Sequence, residues 1–105
     1  MTPEGKIKDA VKKMLKKYAP KVWYFMPVSL GMGKHGIPDI IICCKGEFLA
    51  VETKAPDKDL TALQHRCMME ILEAEGNVWV VNSMDRLTHL EEYIKDIVVS
   101  LVRTK

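Results

Sequence analysis

A three-layer α/β domain with a mixed sheet is the fold the sequence predicts, with elements in the order α-β-β-β-α-β-α across residues 1–105. Three observations carry that expectation. Two apolar, β-rich runs, Ile40 to Cys44 and Phe48 to Val51, flank a Lys45-Gly46 pair, the signature of a tight hairpin. Both runs are apolar at every position, so both faces of these strands call for cover, and helices should pack over each. A helical pattern then runs into another apolar strand, and strand–helix–strand is the order of a parallel crossover.

Taken along the chain, Thr2-Pro3 is a helix start, with Thr as N-cap and Pro at the first helical position. Ile7, Val11, Met14, Leu15 and Tyr18 then mark one helical face, and Pro20 ends the run. Val22 to Val28 is aromatic and β-branched and reads as a first strand, which Pro27 assigns to a sheet edge or a bulge. Leu30 to Gly36 carries three glycines and reads as a loop. After the hairpin, a second helix covers about Thr61 to Glu75 with Leu63, Cys67, Ile71 and Leu72 as its buried stripe, closed by Gly76. Asn77 to Asn82 is the fourth strand. The last helix spans roughly Thr88 to Arg103, with Leu90, Ile94, Ile97, Val98 and Leu101 facing the core.

Composition bounds the class. One domain of 105 residues, 48% hydrophobic and 29% charged, is an ordinary globular chain able to bury a core without staples. No apolar run approaches the roughly 20 residues that span a bilayer, and Met1-Thr2-Pro3-Glu4 lacks the order of a signal peptide. Three cysteines, two of them adjacent, make neither a disulfide framework nor a zinc knuckle. They read as buried, reduced residues of an intracellular protein. The net charge of +2 hides a basic cluster, because Lys6, Lys8, Lys12, Lys13, Lys16, Lys17 and Lys21 all fall early in the chain.

The chemistry-bearing residues sit at the outer ends of the hairpin. With a two-residue loop, Cys44 pairs with Glu47, and counting outward sets Asp39 across from Glu52. Opposed side chains on one sheet face lie about 5 Å apart, and like charges there are destabilising. A fold tolerates such a pair when a cation lies between the acids or when one stays protonated. Lys54 shares the face of Glu52 by strand alternation. Two acids and a lysine on one sheet edge look like a metal-dependent phosphodiesterase site, with Asp39 and Glu52 as hard ligands for Mg²⁺ or Mn²⁺. Lys54 would orient the attacking water or stabilise charge developing on phosphorus.

With those residues laid out, the chain resembles the VRR-NUC family of the PD-(D/E)XK nuclease superfamily. The resemblance rests on Glu4 early in the first helix, Gly36-Ile37-Pro38-Asp39, Glu52-Thr53-Lys54, and Gln64 at the start of the second helix. It covers nearly the whole chain and implies an αβββαβ core with a further C-terminal helix. It also implies a Mg²⁺- or Mn²⁺-dependent endonuclease acting on structured DNA. The short stand-alone members are associated with homodimers and four-way (Holliday) junctions, and the large eukaryotic ones with flaps. The resemblance adds the Thr53 backbone carbonyl as a metal ligand, Glu4 as an additional acid near the metal, and Gln64 as a residue facing the catalytic cleft.

Gln64 has a competing explanation. Thr61-Ala62-Leu63-Gln64 fits the S/T-x-x-E/Q capping box, in which the glutamine closes back on the helix start, and one amide is not expected to serve both roles fully. Lys12 and Lys16 share one face of the first helix and are candidates for DNA backbone contact, as are Lys34 and His35 in the glycine loop. That loop lacks the G-x-x-x-x-G-K-[ST] order, so no nucleotide cofactor is expected. His65 and His89 have no metal-ligand spacing and read as surface residues. The leading expectation is a junction-cutting homodimer, with the apolar residues Val98, Val99, Leu101 and Val102 as a candidate dimer surface. The alternatives are a non-catalytic DNA-binding module, or a flap, duplex or RNA nuclease of the same fold.

Overall fold

The computed structural model describes residues 1–28 and 35–100. Helix α1 (Pro3–Lys16) begins where Thr2 accepts a 3.0 Å hydrogen bond from the Gly5 N–H, with Pro3 inside the first turn. Its buried residues, Ile7, Val11, Met14 and Leu15, recur at helical spacing. Strands β1 (Val22–Phe25), β2 (Ile40–Cys44) and β3 (Glu47–Thr53) follow, then α2 (Ala62–Glu73), β4 (Asn77–Val81) and α3 (Met84–Val99).

The four strands lie in the order β1-β2-β3-β4. The first two pairings are antiparallel, and β3 pairs with β4 in parallel across the α2 crossover. The β2–β3 turn is the anticipated one. Lys45 and Gly46 take φ of 49° and 90°, the left-handed pair that matches strand twist in a two-residue hairpin. Cys44 pairs with Glu47, and the ladder runs outward to Ile40 opposite Val51. β1 is an edge strand ending at Phe25, so Pro27 lies beyond it, where a missing N–H costs no ladder bond.

Strand alternation divides the sheet into two faces. Ile40, Ile42, Cys44, Leu49, Val51 and Val81 face α1 and α3 and form one core with Val11, Leu15, Leu90 and Ile94. Ile41, Cys43, Phe48, Ala50 and Glu52 face the α2 side. The expectation that helices close both faces holds for the first and fails in part for the second. There α2 buries only Cys67 and Met68, while Leu63 and Leu72 of the expected stripe are about half exposed. Trp23, Cys43, Phe25 and Phe48 are exposed on the uncovered part, so Cys43 is not the buried residue anticipated.

Two helix boundaries also differ. Helix α3 begins at Met84, four residues before the anticipated Thr88, because Ser83 caps it by accepting from the Arg86 N–H at 3.1 Å. Its C-cap is Ser100, so Leu101 and Val102 of the candidate dimer surface lie outside the described residues. Val99 is exposed and Val98 packs on the core. Helix α2 closes through Glu75 rather than Gly76. Glu75 takes φ of 67°, its N–H reaches the Leu72 carbonyl, and the Gly76 N–H reaches that of Ile71. That is the Schellman arrangement with a non-glycine residue in the left-handed position. Glu75→Gly should therefore raise stability by about 1 kcal/mol, read as a higher urea midpoint at unchanged m-value.

Candidate functional site

The C-terminal end of β3, the segment leading into β2, the first turns of α1 and the N-terminus of α2 converge at one edge of the sheet. Extending the observed ladder one step beyond Ile40–Val51 puts Asp39 opposite Glu52, as the sequence anticipates. Asp39 lies just before β2 and is fixed by side-chain contacts. Its Oδ2 accepts from the Thr53 N–H at 2.9 Å and from the Thr53 hydroxyl at 2.7 Å. Its Oδ1 lies 3.6 Å from the Lys8 ammonium. Gly36, three residues upstream, packs its backbone against the Leu63-Gln64 peptide and so ties this segment to α2.

Glu52 is only 2% exposed. Its Oε2 accepts from the Gln64 side-chain amide at 2.9 Å, while Oε1 is buried with no hydrogen-bond partner among the described residues. Burial pushes the Glu52 pKa up to about 7. The Asp39 charge adds to this rise, as does Glu4, whereas Lys54 and the Asp39 backbone pull the other way. A buried carboxylate oxygen without a donor, facing a second carboxylate, is costly unless a proton or a cation completes it.

Gln64 resolves the competition posed by its sequence context. Its side-chain Oε1 accepts from the Thr61 N–H at 2.9 Å, and its backbone N–H donates to Thr61 Oγ1 at 3.2 Å, so the capping box is complete. The NH₂ group of the same amide donates to Glu52. The expectation that one amide cannot serve both roles is thus overturned, because its acceptor and donor ends point in different directions. Only this orientation gives the Thr61 N–H an acceptor and the carboxylate a donor.

The remaining candidates distribute as follows. Thr53 is fully buried beside Asp39, and Lys54, one residue past β3, is near enough for its charge to act on Glu52. Glu4 acts on Glu52 through space, but among the described residues no three His, Cys, Asp or Glu side chains converge as a ligand group. Lys12 and Lys16 continue the α1 stripe that begins with Glu4 and Lys8, about 6 and 12 Å farther along the helix than Lys8. Lys13 and Lys17 are engaged elsewhere, by Asp9 at 3.1 Å and Glu91 at 2.7 Å. His35, His65 and His89 are exposed, and Lys34 lies outside the described residues.

Lys8 joins the site although nothing in its sequence neighbourhood sets it apart from the other early lysines except its spacing of four from Glu4. That spacing is a signal because i and i+4 share a helix face.

No protein-family model and no curated protein matches this sequence. Among solved structures, a chain described as "VRR_NUC domain" superposes with a TM-score of 0.75 at 22% identity, covering 89% of this chain and 98% of that one. Likeness at that identity speaks for the fold, and it matches the αβββαβ core with its C-terminal helix. Among the described residues no helix is long and apolar enough to cross a membrane. Over nearly its whole length, then, this chain has the fold of a VRR_NUC domain.

Proposed function

We propose that this domain is a divalent-metal-dependent DNA endonuclease whose site is built on Asp39, Glu52 and Lys54. The observation that carries the reading is the buried Glu52 carboxylate facing Asp39 with an oxygen unpartnered among the described residues. Two carboxylates suffice for Mg²⁺, which keeps several waters, so the donor set fits Mg²⁺ or Mn²⁺ even without a third acid side chain. Asp39 and Glu52 would hold the ion with the Thr53 carbonyl, and Glu4 would add negative charge nearby. When bound, the metal supplies a Lewis acid for the phosphate and lowers the pKa of the attacking water.

The protein's own groups do the positioning. Gln64 fixes the Glu52 carboxylate through its Oε2, as outer hydrogen bonds commonly orient metal ligands. Thr53 does the same for Asp39 through two hydrogen bonds. Lys54 stands near enough for its charge to act on Glu52, where an ammonium orients a nucleophilic water or offsets charge at phosphorus. The Lys8 ammonium, 3.6 Å from Asp39 Oδ1, would also reach a phosphate bound there. Lys12 and Lys16 extend that cationic line along α1 and would follow the DNA backbone, the sequence-independent part of affinity. Branched DNA is the favoured substrate and a homodimer the favoured state, because resolving a four-way junction takes two symmetric cuts from one short chain.

The test is cleavage of a labelled four-way junction, a flap, a plain duplex and an RNA hairpin, with Mg²⁺, Mn²⁺ or chelator. Junction cutting should require metal and vanish in Asp39→Ala and Lys54→Ala, with a dimer in sedimentation at micromolar protein. DNA binding without cutting in either metal would overturn the enzyme reading in favour of a binding module. Cutting of RNA or flaps in preference to junctions would overturn the substrate assignment.

A further inference from the structure

The part of the sheet that no helix covers among the described residues opens into a groove of about 810 Å³ between the β1–β2 face and α2. Phe25, Ile41 and Phe48 line its apolar stretch, and the same groove runs to Pro38, Asp39 and Gln64. Phe25 and Phe48 are 45% and 42% exposed, and Trp23 leans on Phe25 with ring centroids 5.6 Å apart. An aromatic patch left bare on a strand face that is otherwise apolar marks a binding surface.

The two ends of the groove limit what fits there. Whatever fills the groove ends against Asp39 and Gln64, so the ligand belongs to the candidate catalytic site rather than to a separate one. A second copy or a protein segment seated along it would bury the Asp39 carboxylate and shut out the phosphate. Glu70, also on the wall, has its charge offset by Arg66 at 3.8 Å, so the lining does not repel a polyanion through that residue alone. Phe25 stands opposite Ile41, two strand residues from Asp39, which is about 7 Å along the strand. A base on this ring would therefore belong to a nucleotide next to, or close to, a phosphate held at Asp39. Base pairs inside a duplex keep their π-faces stacked on one another, so only an unpaired base is free to lie against a protein ring.

We infer that this groove is a stacking subsite for an unpaired DNA base, held against Phe25 beside the phosphate to be cut. The inference rests on the endonuclease reading and deepens it, because it gives the enzyme a means of selecting DNA that carries unpaired nucleotides. Phe48 forms the floor of the subsite, and Trp23 buttresses the Phe25 ring from the edge strand.

Binding measured in chelator, where no cutting is expected, isolates the subsite. Anisotropy would compare a labelled single strand, a strand with the same backbone and abasic positions, and a plain duplex, using the wild type, Phe25→Leu and Phe25→Tyr. The wild type should prefer the single strand to its abasic counterpart. Phe25→Leu keeps the apolar bulk but loses the ring face, and should weaken single-strand binding about tenfold while leaving duplex and abasic binding nearly unchanged. Phe25→Tyr should restore it. Equal loss on all three ligands, no loss on any, or a dimer dissolved by Phe25→Leu in sedimentation would overturn the subsite. Cleavage is scored separately. If the wild type cuts nothing yet the abasic-sensitive binding depends on the Phe25 ring, the endonuclease reading falls and the subsite stands. If it cuts and Phe25→Leu binds unpaired DNA as well as the wild type, the subsite alone falls.

Discussion

Without metal at pH 8, Glu52→Gln should make the protein more stable than the wild type by as much as about 3 kcal/mol, an effect that disappears near pH 4. Glu52 is pushed up to about 7 in the fold, against an ordinary value of 4.5 in the unfolded chain. Below pH 4.5 both states hold the proton, and the carboxyl imposes no charge penalty. As pH rises through that range the unfolded chain releases its proton while the folded one resists, so folding loses free energy progressively. Above about 7 the folded state is also ionised and the loss is complete. The group is almost fully buried, so solvent screening reduces this little. Glutamine keeps the shape and an oxygen for the Gln64 donor, and it removes the charge that faces Asp39. For a domain of this size the difference corresponds to a rise in Tm on the order of 10 °C at pH 8. Thermal melts of both proteins from pH 4 to 8 in chelator check it. Equal Tm values at pH 8 would mean that Glu52 is not held against its charge.

The same substitution should reverse its effect when metal is added. In the proposed site a divalent cation would take the place of the proton on Glu52, so metal affinity should climb as pH rises toward 7 and beyond. Mg²⁺ or Mn²⁺ should then raise the Tm of the wild type and leave Glu52→Gln nearly unmoved, while cutting is lost in the variant. A residue retained at a cost to stability is what a functional carboxylate looks like, since a purely structural position would improve when the strain is removed.

What the sequence could and could not disclose follows from how far each signal reaches. The hairpin was legible because Lys45-Gly46 between apolar runs fixes both turn and register, and the register alone carries Asp39 to Glu52. The double role of Gln64 was not, because the capping pattern describes bonds within one helix, while the bond to Glu52 depends on where β3 passes that helix. Lys8 was hidden among seven early lysines, from which only tertiary packing selects the one beside Asp39. The start of α3 is not legible because Ser83 directly follows the expected strand Asn77 to Asn82, and its capping role shows only once the strand is seen to end at Val81. The open sheet face was misjudged for a plainer reason. Phe48 and Ile41 read as apolar strand positions whether a helix or a ligand is meant to cover them.

Gly36→Ala should be among the most destabilising small substitutions in the domain, costing roughly 2–4 kcal/mol. Gly36 takes φ of 77°, where an alanine side chain is strained, and this alone costs about 1 kcal/mol. Its surroundings decide the rest. A Cβ there would stand 2.4 Å from the Leu63 carbonyl oxygen, 2.5 Å from the Leu63 carbonyl carbon and 2.9 Å from the Gln64 nitrogen. These are backbone atoms in the first turn of α2, which cannot swing aside as the end of a side chain would, so the segment leading to Asp39 must part from the helix. Parting them pulls Gln64 from Glu52 and separates the two sides of the candidate site. Gly46→Ala is the control, because Gly46 has φ of 90° and nothing within 4 Å of the added carbon. It should show only the conformational cost of about 1 kcal/mol. Urea melts of the two variants isolate the contact from the strain. If Gly36→Ala is no worse than Gly46→Ala, the Asp39 segment is not seated on α2. If it is worse by the expected margin, cutting should fall in a folded Gly36→Ala protein even though every carboxylate and lysine of the site is present.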